Sequence, residues 1–373
     1  MVRQCEVMVR LKRVLILSGL FLLGVALMIL ITGTGKFPFE DFYDEFNYTS
    51  YDQYDVTFDP SITYNSRKDT TNTHVIKDGR LTAADDKTLI IDDRIAQRLM
   101  NNIKILCWIP TITNSLETKV KAVNNTWARR CDRTLYVLGD PSSPTSLQGD
   151  ILTLKVPNGR SHLTAKSVQA LKFIHSHFLM SYDWFLKADD DTYIVMENLK
   201  FLLSHYSSNA PVYVGHLFKK YSNYGYMSGG AGYVLSRRAL RKLVKHGYRS
   251  SGKCRNDGND EDVDIGHCLQ AVNVSVHNTV DKFGRESFHP FSGLAHVNGG
   301  LPDNIKSYDR NPTRTGVDCC SQLLISFHYA SPQFLYFIEQ LLYRTSIYGR
   351  KIPDTGFKKF FQIGPVPPLK DFK

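Results

Sequence analysis

From Asn102 onward the chain alternates short apolar runs with stretches whose apolar residues return at helical spacing, and this alternation restricts the fold more than any other feature. Residues 103–109 and 133–138 read as buried strands, with a helix over 117–129 between them. A better helix covers 163–180, where Val168, Leu171, Ile174 and Phe178 share one face. A short buried strand at 184–188 leads through a turn into a helix at 197–206. Strands at 211–215 and 232–235 follow, and Ser236 is placed to cap a basic helix over 237–246. Helices at 261–272 and 332–343 complete the pattern. Strands alternating with helices predict an α/β domain with a mostly parallel sheet. Ligands of such sheets bind beyond the carboxyl ends of the strands.

That rule points to Asp189, Asp190 and Asp191, which directly follow the apolar strand at Trp184. Three adjacent carboxylates repel and raise one another's pKa unless a cation compensates. A hard divalent ion does so, and it can also hold the oxygens of a departing diphosphate. An ordinary solvated acidic turn is the competing explanation. His328 ends the apolar run at 323–326 and is a candidate metal ligand beside a carboxylate, although taken alone it reads first as a packed strand-end histidine. The segment Tyr226-Met-Ser-Gly-Gly-Ala-Gly-Tyr233 is a Gly-rich loop entering a strand, without the spacing of a phosphate-binding fingerprint. Glycines there permit close backbone approach to a sugar, or simply a tight turn. Glu261 and Asp262 begin a helix, where the N-terminal dipole favours carboxylates. One of them is the candidate general base for deprotonating an acceptor hydroxyl, Asp262 first and Glu261 second.

The N-terminal region bears on compartment. Residues 14–31 carry no charge, a length at the short end of what spans a bilayer, where about 20 residues are usual. Arg10, Lys12 and Arg13 precede it, which orients the short N-terminus to the cytosol and the remainder to the lumen. A cleaved signal peptide is the rival reading. Six cysteines lie beyond the run, and an even count suits disulfides in an oxidising compartment. Cys107 with Cys131 and Cys254 with Cys268 are the sequence-local pairs, leaving Cys319 and Cys320 unassigned. Glycan acceptor patterns occur at Asn47, Asn124 and Asn273. The net charge of +10 would admit an anionic partner. No Lys/Arg block alternates with stacking aromatics, however, which argues against nucleic acid.

Several segments then appear in a fixed order: Asn125-Thr-Trp-Ala-Arg-Arg-Cys131, Asp183-Trp-Phe-Leu-Lys-Ala-Asp-Asp-Asp-Thr-Tyr193, the loop at Gly225 to Leu235, Glu286-Ser-Phe-His-Pro-Phe291, Cys319-Cys-Ser and Ser326-Phe-His-Tyr329. Together they resemble glycosyltransferase family 31, in particular its core 1 β1,3-galactosyltransferase branch. The resemblance implies a GT-A (Rossmann-like) catalytic domain over 99–345, preceded by a cytosolic tail at 1–13, a signal-anchor at 14–31 and a stem at 32–98, with a tail at 346–373. It implies a type II Golgi membrane protein that dimerises in some members. The implied reaction is inverting transfer of galactose from UDP-galactose to the 3-hydroxyl of GalNAc on Ser/Thr of glycoproteins, dependent on Mn²⁺. Asp191, His328 and Asp189 take the metal positions. Asp189, Asp190, Gly229, Gly230 and Trp127 take donor positions, and the pair Glu261-Asp262 takes that of the base. A family 31 transferase of other donor or acceptor, and a non-catalytic lumenal chaperone, are the alternatives. The sequence departs from the branch between Phe291 and Cys319, where an aromatic-rich stretch is replaced by one with a single Tyr and no Trp. Acceptor recognition is what this change bears on.

Overall fold

The computed structural model describes residues 94–249, 252, 254–345 and 364, and the backbone of three strands within 74–91. The span expected at 14–31, most of the stem, Asn47 and nearly all of the C-terminal tail lie outside the described residues. Among the described residues no helix is long and apolar enough to cross a membrane.

The first described elements are an antiparallel meander of β1 (His74–Lys77), β2 (Arg80–Ala83) and β3 (Asp86–Ile91), followed by the helix Arg94–Asn102. Regular structure therefore begins inside the stretch read as a spacer. Next come β4 (Ile105–Pro110), β5 (Arg133–Gly139), β6 (Ser146–Gln148), β7 (Ile151–Leu154), β8 (Trp184–Lys187) and β9 (Tyr193–Ile194). The remaining strands are β10 (Val212–Gly215), β11 (Leu217–Phe218), β12 (Tyr226–Met227), β13 (Tyr233–Ser236), β14 (Ser275–His277), β15 (Phe288–His289) and β16 (Ser326–Phe327).

One sheet runs in the order β14-β10-β13-β8-β4-β5-β7-β6. The pairs β14–β10, β8–β4, β4–β5 and β5–β7 are parallel. The pairs β10–β13, β13–β8 and β7–β6 are antiparallel, so the sheet is mixed rather than mostly parallel. The reason lies in the connections. A parallel neighbour needs a long crossover, commonly a helix, whereas β10 reaches β13 through the small β11–β12 pair and returns reversed.

Side-chain alternation along the strands feeds two cores. Leu106, Trp108, Leu135, Val137 and Phe185 face the core closed by the helices Leu163–Phe178 and Glu261–Ala271. Ile105, Cys107, Ile109, Trp184 and Leu186 face the other, closed by Lys121–Asn125, Met196–Leu203 and Pro332–Tyr343. Being covered on both faces, β4 and β8 need continuous apolar runs, and this is why they were legible. Ser236 caps its helix as expected, accepting the Ala239 N–H.

The helix expected at 117–129 is broken. Leu116–Val120 is a π turn, Lys121–Asn125 a short α-helix and Trp127–Arg130 a 3₁₀ turn. Thr126 makes the break: its backbone leaves the helical region (φ −111°, ψ −112°) and its hydroxyl donates to the Ala122 carbonyl at 2.7 Å. Both local disulfides form as expected, Cys107–Cys131 and Cys254–Cys268, and the adjacent Cys319 and Cys320 bond to each other. Of the glycan acceptor patterns, Asn273 is exposed, while Asn124 Oδ1 accepts the Tyr136 hydroxyl at 3.1 Å.

Candidate active site

The acidic triplet leaves the carboxyl end of β8, where the strand geometry places a ligand crevice. A second, three-stranded sheet, β15-β16-β9, brings His328 to it. In the antiparallel ladder Phe327 faces Tyr193 and Ser326 faces Ile194, so the residue after β16 arrives opposite the residues that follow the triplet. The Ala330 N–H then donates to the Asp191 carbonyl at 2.8 Å and locks the turn. Register, not sequence distance, sets this meeting.

His328 Nε2 lies 3.2 Å from Asp191 Oδ1 and 3.6 Å from Asp189 Oδ2. The opposite ring nitrogen, Nδ1, is 3.2 Å from the Pro290 carbonyl, a bond that fixes the tautomer and directs the Nε2 lone pair at the carboxylates. The other carboxylate oxygens are occupied. Lys187 Nζ holds Asp189 Oδ1 at 2.6 Å, and Lys119 Nζ holds Asp191 Oδ2 at 3.0 Å. Asp190 turns aside, accepting the Thr111 hydroxyl at 2.7 Å with Lys119 at 3.6 Å. Asp189, Asp191 and His328 thus each offer one ligand atom, all within 4.8 Å of one another. Two hard oxygens and one imidazole nitrogen form a donor set that fits Mn²⁺.

The electrostatics agree with a site built to carry charge. Burial disfavours the Asp191 carboxylate, but His328 and Lys119 outweigh it and hold its pKa below the usual range. Burial likewise opposes protonation of His328, and Asp191 and Asp189 raise it regardless. Asp190, without an equal partner, is raised by burial. Lys187 is fully buried; desolvation lowers it, yet Asp189, Glu261 and Asp262 push it up to about 12.

The Gly-rich loop packs against this cluster. A Cβ on Gly230 would come within 2.2 Å of the His328 ring, so only glycine fits there. Gly229 gives its carbonyl to Lys187 Nζ at 3.0 Å and its N–H to Asp262 Oδ2 at 3.0 Å. Asp262 therefore does more than occupy a helix start: it reaches back to a loop far earlier in the chain. Its Oδ1 accepts the Val263 N–H at 2.9 Å. Glu261 sits deeper, 7% exposed, with Oε1 accepting the Tyr233 hydroxyl at 2.7 Å. Burial raises both carboxyls.

Six of the expected donor and metal residues and both base candidates therefore converge. Trp127 does not. It is fully buried with Cys107, Val123 and Tyr136, and so has no surface to offer a ligand. Its part in the motif is packing. Sequence reasoning missed Lys119, Lys187 and Thr111. Lys187 was readable, since an ammonium closing an otherwise apolar strand needs a buried counter-charge. Lys119 gave no signal, because its approach depends on the π turn. A cavity of about 430 Å³ also opens at the ends of β5 and β7, lined by Thr113, Gly139, Asp140 and Ser143. Serine hydrogen bonds from Ser142 and Ser143 hold Asp140 down to about 2.

Comparison with known proteins adds four findings. The Fringe-like family model matches residues 101–292. The chain is 38% identical over 284 residues to glycoprotein-N-acetylgalactosamine 3-beta-galactosyltransferase 1 of Xenopus laevis, covering 75% of this chain and 74% of that one. It is 31% identical to the beta-1,3-glucosyltransferase of Mus musculus over 48% of this chain and 36% of that protein. Chondroitin sulfate synthase 3 of Mus musculus is 27% identical over 43% of this chain and 20% of its own length.

Proposed function

The chain belongs to the Fringe-like glycosyltransferases of family 31, and from that premise we propose that it transfers galactose from UDP-galactose to the 3-hydroxyl of GalNAc on Ser/Thr of glycoproteins, with inversion and with Mn²⁺. The observation that carries the reading is the convergence of Asp189, Asp191 and His328 beside Asp262. The mixed central sheet, with the acidic triplet at the carboxyl end of β8, supports a GT-A domain.

Asp191, His328 and Asp189 would hold the metal, which neutralises charge on the departing diphosphate. The chain's own groups do the rest. Lys119 stands beside the same carboxylates as a second positive charge for the diphosphate. The cavity at β5 and β7 offers Asp140 and Ser143 to the nucleoside. Gly229 and Gly230 leave room for the donor sugar against the loop. Asp262 is the base: burial raises its pKa, which strengthens it as a proton acceptor, and it is less enclosed than Glu261. The backbone N–H groups of Gly229 and Val263 hold its oxygens in place to take the acceptor proton. Glu261, tied to Tyr233, keeps Lys187 charged.

The reading extends to a lumenal Golgi enzyme anchored through residues 14–31, as a homodimer. The test is transfer by the solubilised full chain across a panel of UDP-sugars and sugar acceptors, with and without Mn²⁺. Transfer of galactose to a GalNAc-peptide, lost on chelation, is the expected result. Transfer of another sugar would retain the family chemistry and replace the substrates. Calorimetry finding neither Mn²⁺ uptake nor Mn²⁺-dependent UDP affinity would overturn the enzyme reading.

A further inference from the structure

Among the described residues three other than glycine have positive φ: Tyr221 (69°), Asn273 (54°) and Tyr329 (49°). Both tyrosines are also exposed, at 59% and 57%. The left-handed region crowds Cβ against the backbone, and an exposed ring gains little from burial. Burial therefore explains neither ring, and strain kept at an exposed aromatic points to a ligand.

The two lie at the ends of one aromatic rim. Tyr329 stacks on His328 with ring centroids 3.9 Å apart. Phe291 is 6.1 Å from Tyr329 and packs, together with Tyr308, on the Phe218–Tyr226 group. Val263, next to Asp262, packs on that group too. At the far end the Tyr221 and Tyr308 rings are 6.0 Å apart with hydroxyls at 3.3 Å, and Lys220 Nζ stands 4.0 Å over Tyr308. His267, on the helix that begins with Glu261 and Asp262, holds the Tyr221 carbonyl at 2.8 Å. The rim so connects the candidate metal ligand to the helix of the candidate base.

We propose that this rim is the acceptor subsite, with Tyr221 and Tyr329 stacking on the acceptor glycan and the Tyr221–Tyr308–Lys220 group binding its hydroxyls. The inference rests on the transferase reading above. A pyranose presents an apolar C–H face and a polar edge, and the rim offers exposed ring faces beside two phenols and an ammonium. Through Val263 it adjoins Asp262, the candidate base for an acceptor hydroxyl. It also answers the departure from the family pattern: Tyr308 is the single aromatic of residues 292–318, and the fold brings Tyr221 and Tyr329 to it from two other segments.

The experiment compares Tyr221→Gly, Tyr221→Phe and the unsubstituted full chain, using the sugar acceptor turned over best in the panel. Glycine adopts this backbone without strain, so Tyr221→Gly is expected to melt no lower than the parent. Its acceptor KM should rise about tenfold or more while the donor KM moves less than about twofold. Tyr221→Phe keeps the ring and should stay within about threefold of the parent. Tyr329→Ala should raise the acceptor KM without shifting Mn²⁺ affinity measured by calorimetry; a shifted Mn²⁺ affinity at unchanged acceptor KM would make Tyr329 a support for His328 and overturn its place in the subsite. An unmoved acceptor KM in Tyr221→Gly, with UDP still bound, overturns the subsite alone. An unsubstituted chain that binds no UDP with Mn²⁺ overturns the parent reading and the subsite with it.

Discussion

Two groups of charged side chains, joined by β9, are finished in opposite ways. Around Glu339 both carboxylate oxygens are spent: Arg130 holds them at 2.6 and 3.0 Å, Arg129 at 2.7 Å, and the Tyr193 hydroxyl at 2.8 Å. Arg130 also lies 3.5 Å from the centre of the Tyr343 ring, whose hydroxyl bonds Glu197. Glu339 and Arg130 side chains are only 3% and 7% exposed. The triplet group is more open, with Asp189 and Asp191 side chains 32% and 20% exposed, and Asp189, Asp191 and His328 each offer one ligand atom within 4.8 Å of the others. Composition does not separate the two. What separates them is whether opposite charges within the chain have used up the polar valences. A group closed on itself can only hold the fold, whereas one left open can take a ligand. Tyr193, two residues after Asp191, ties the open group to the closed one.

The comparison breaks first if activity does not follow the open group. Asp191→Asn should lower kcat/KM by about 10⁴-fold, roughly 5 kcal/mol of transition-state stabilisation. Its loss in melting temperature should remain smaller than that of Glu339→Gln. Equal losses in both readouts would mean that the triplet is structural. Glu339→Gln is expected to do the reverse, costing about 3 kcal/mol of stability because Arg130 is left buried without its main partner. Denaturant unfolding measures it, and the kcat of the folded fraction should stay within about threefold of the parent. A large kcat loss with stability intact would place Glu339 in the chemistry instead.

A third, wholly buried group sharpens the contrast by titrating. His216 lies 2.9 Å from both Asp309 and the Phe288 carbonyl, with Glu286 at 3.7 Å. Burial lowers its pKa, but Glu286 and Asp309 push it up to about 9. A folded pKa above the unfolded value, near 6.5, means that this stabilisation is complete below about pH 6.5 and is lost as pH rises through about 9. Its full size is on the order of 3 kcal/mol. Stability of the parent should therefore fall between these pH values, and His216→Gln should flatten the profile. A parallel fall in His216→Gln would assign the titration to another group.

How much of this was readable follows from what each part depends on. β4, β8 and the helix Pro332–Tyr343 were legible because burial on two faces, or on one helical face, writes a period into the residues. The reversed β13 was not, since direction is set by the connection and an apolar run has none. Ser146–Gln148 was missed as a strand because a polar edge needs no apolar pattern. Within the site, Asp189 and Asp191 were marked by like charge at a strand end. The meeting of His328 with Asp191 rests on the Phe327–Tyr193 register, which no local pattern encodes. Trp127 was misplaced because a tryptophan within a family motif reads the same whether it packs or binds.

The smallest expected effect tests how tightly the open group is built. Gly230 is at the back of His328, and a Cβ there would lie 2.2 Å from ring atoms Cε1 and Nδ1. The ring cannot retreat without breaking the Nδ1 bond to the Pro290 carbonyl. Gly230→Ala must therefore turn Nε2 away from Asp191 while leaving every carboxylate in place. Loss of a ligand's orientation typically costs about 10- to 100-fold in metal affinity. Calorimetric Mn²⁺ affinity should fall by that factor, about 2 kcal/mol, with the melting temperature of the metal-free protein nearly unchanged. Gly229→Ala is the internal comparison, since its Cβ would meet Glu261 and Lys187 no closer than 3.3 Å. If the two alanines weaken Mn²⁺ equally, the loop acts through general crowding and His328 is not held by Gly230. A deficit confined to Gly230→Ala ties the metal position to the one contact that only glycine allows.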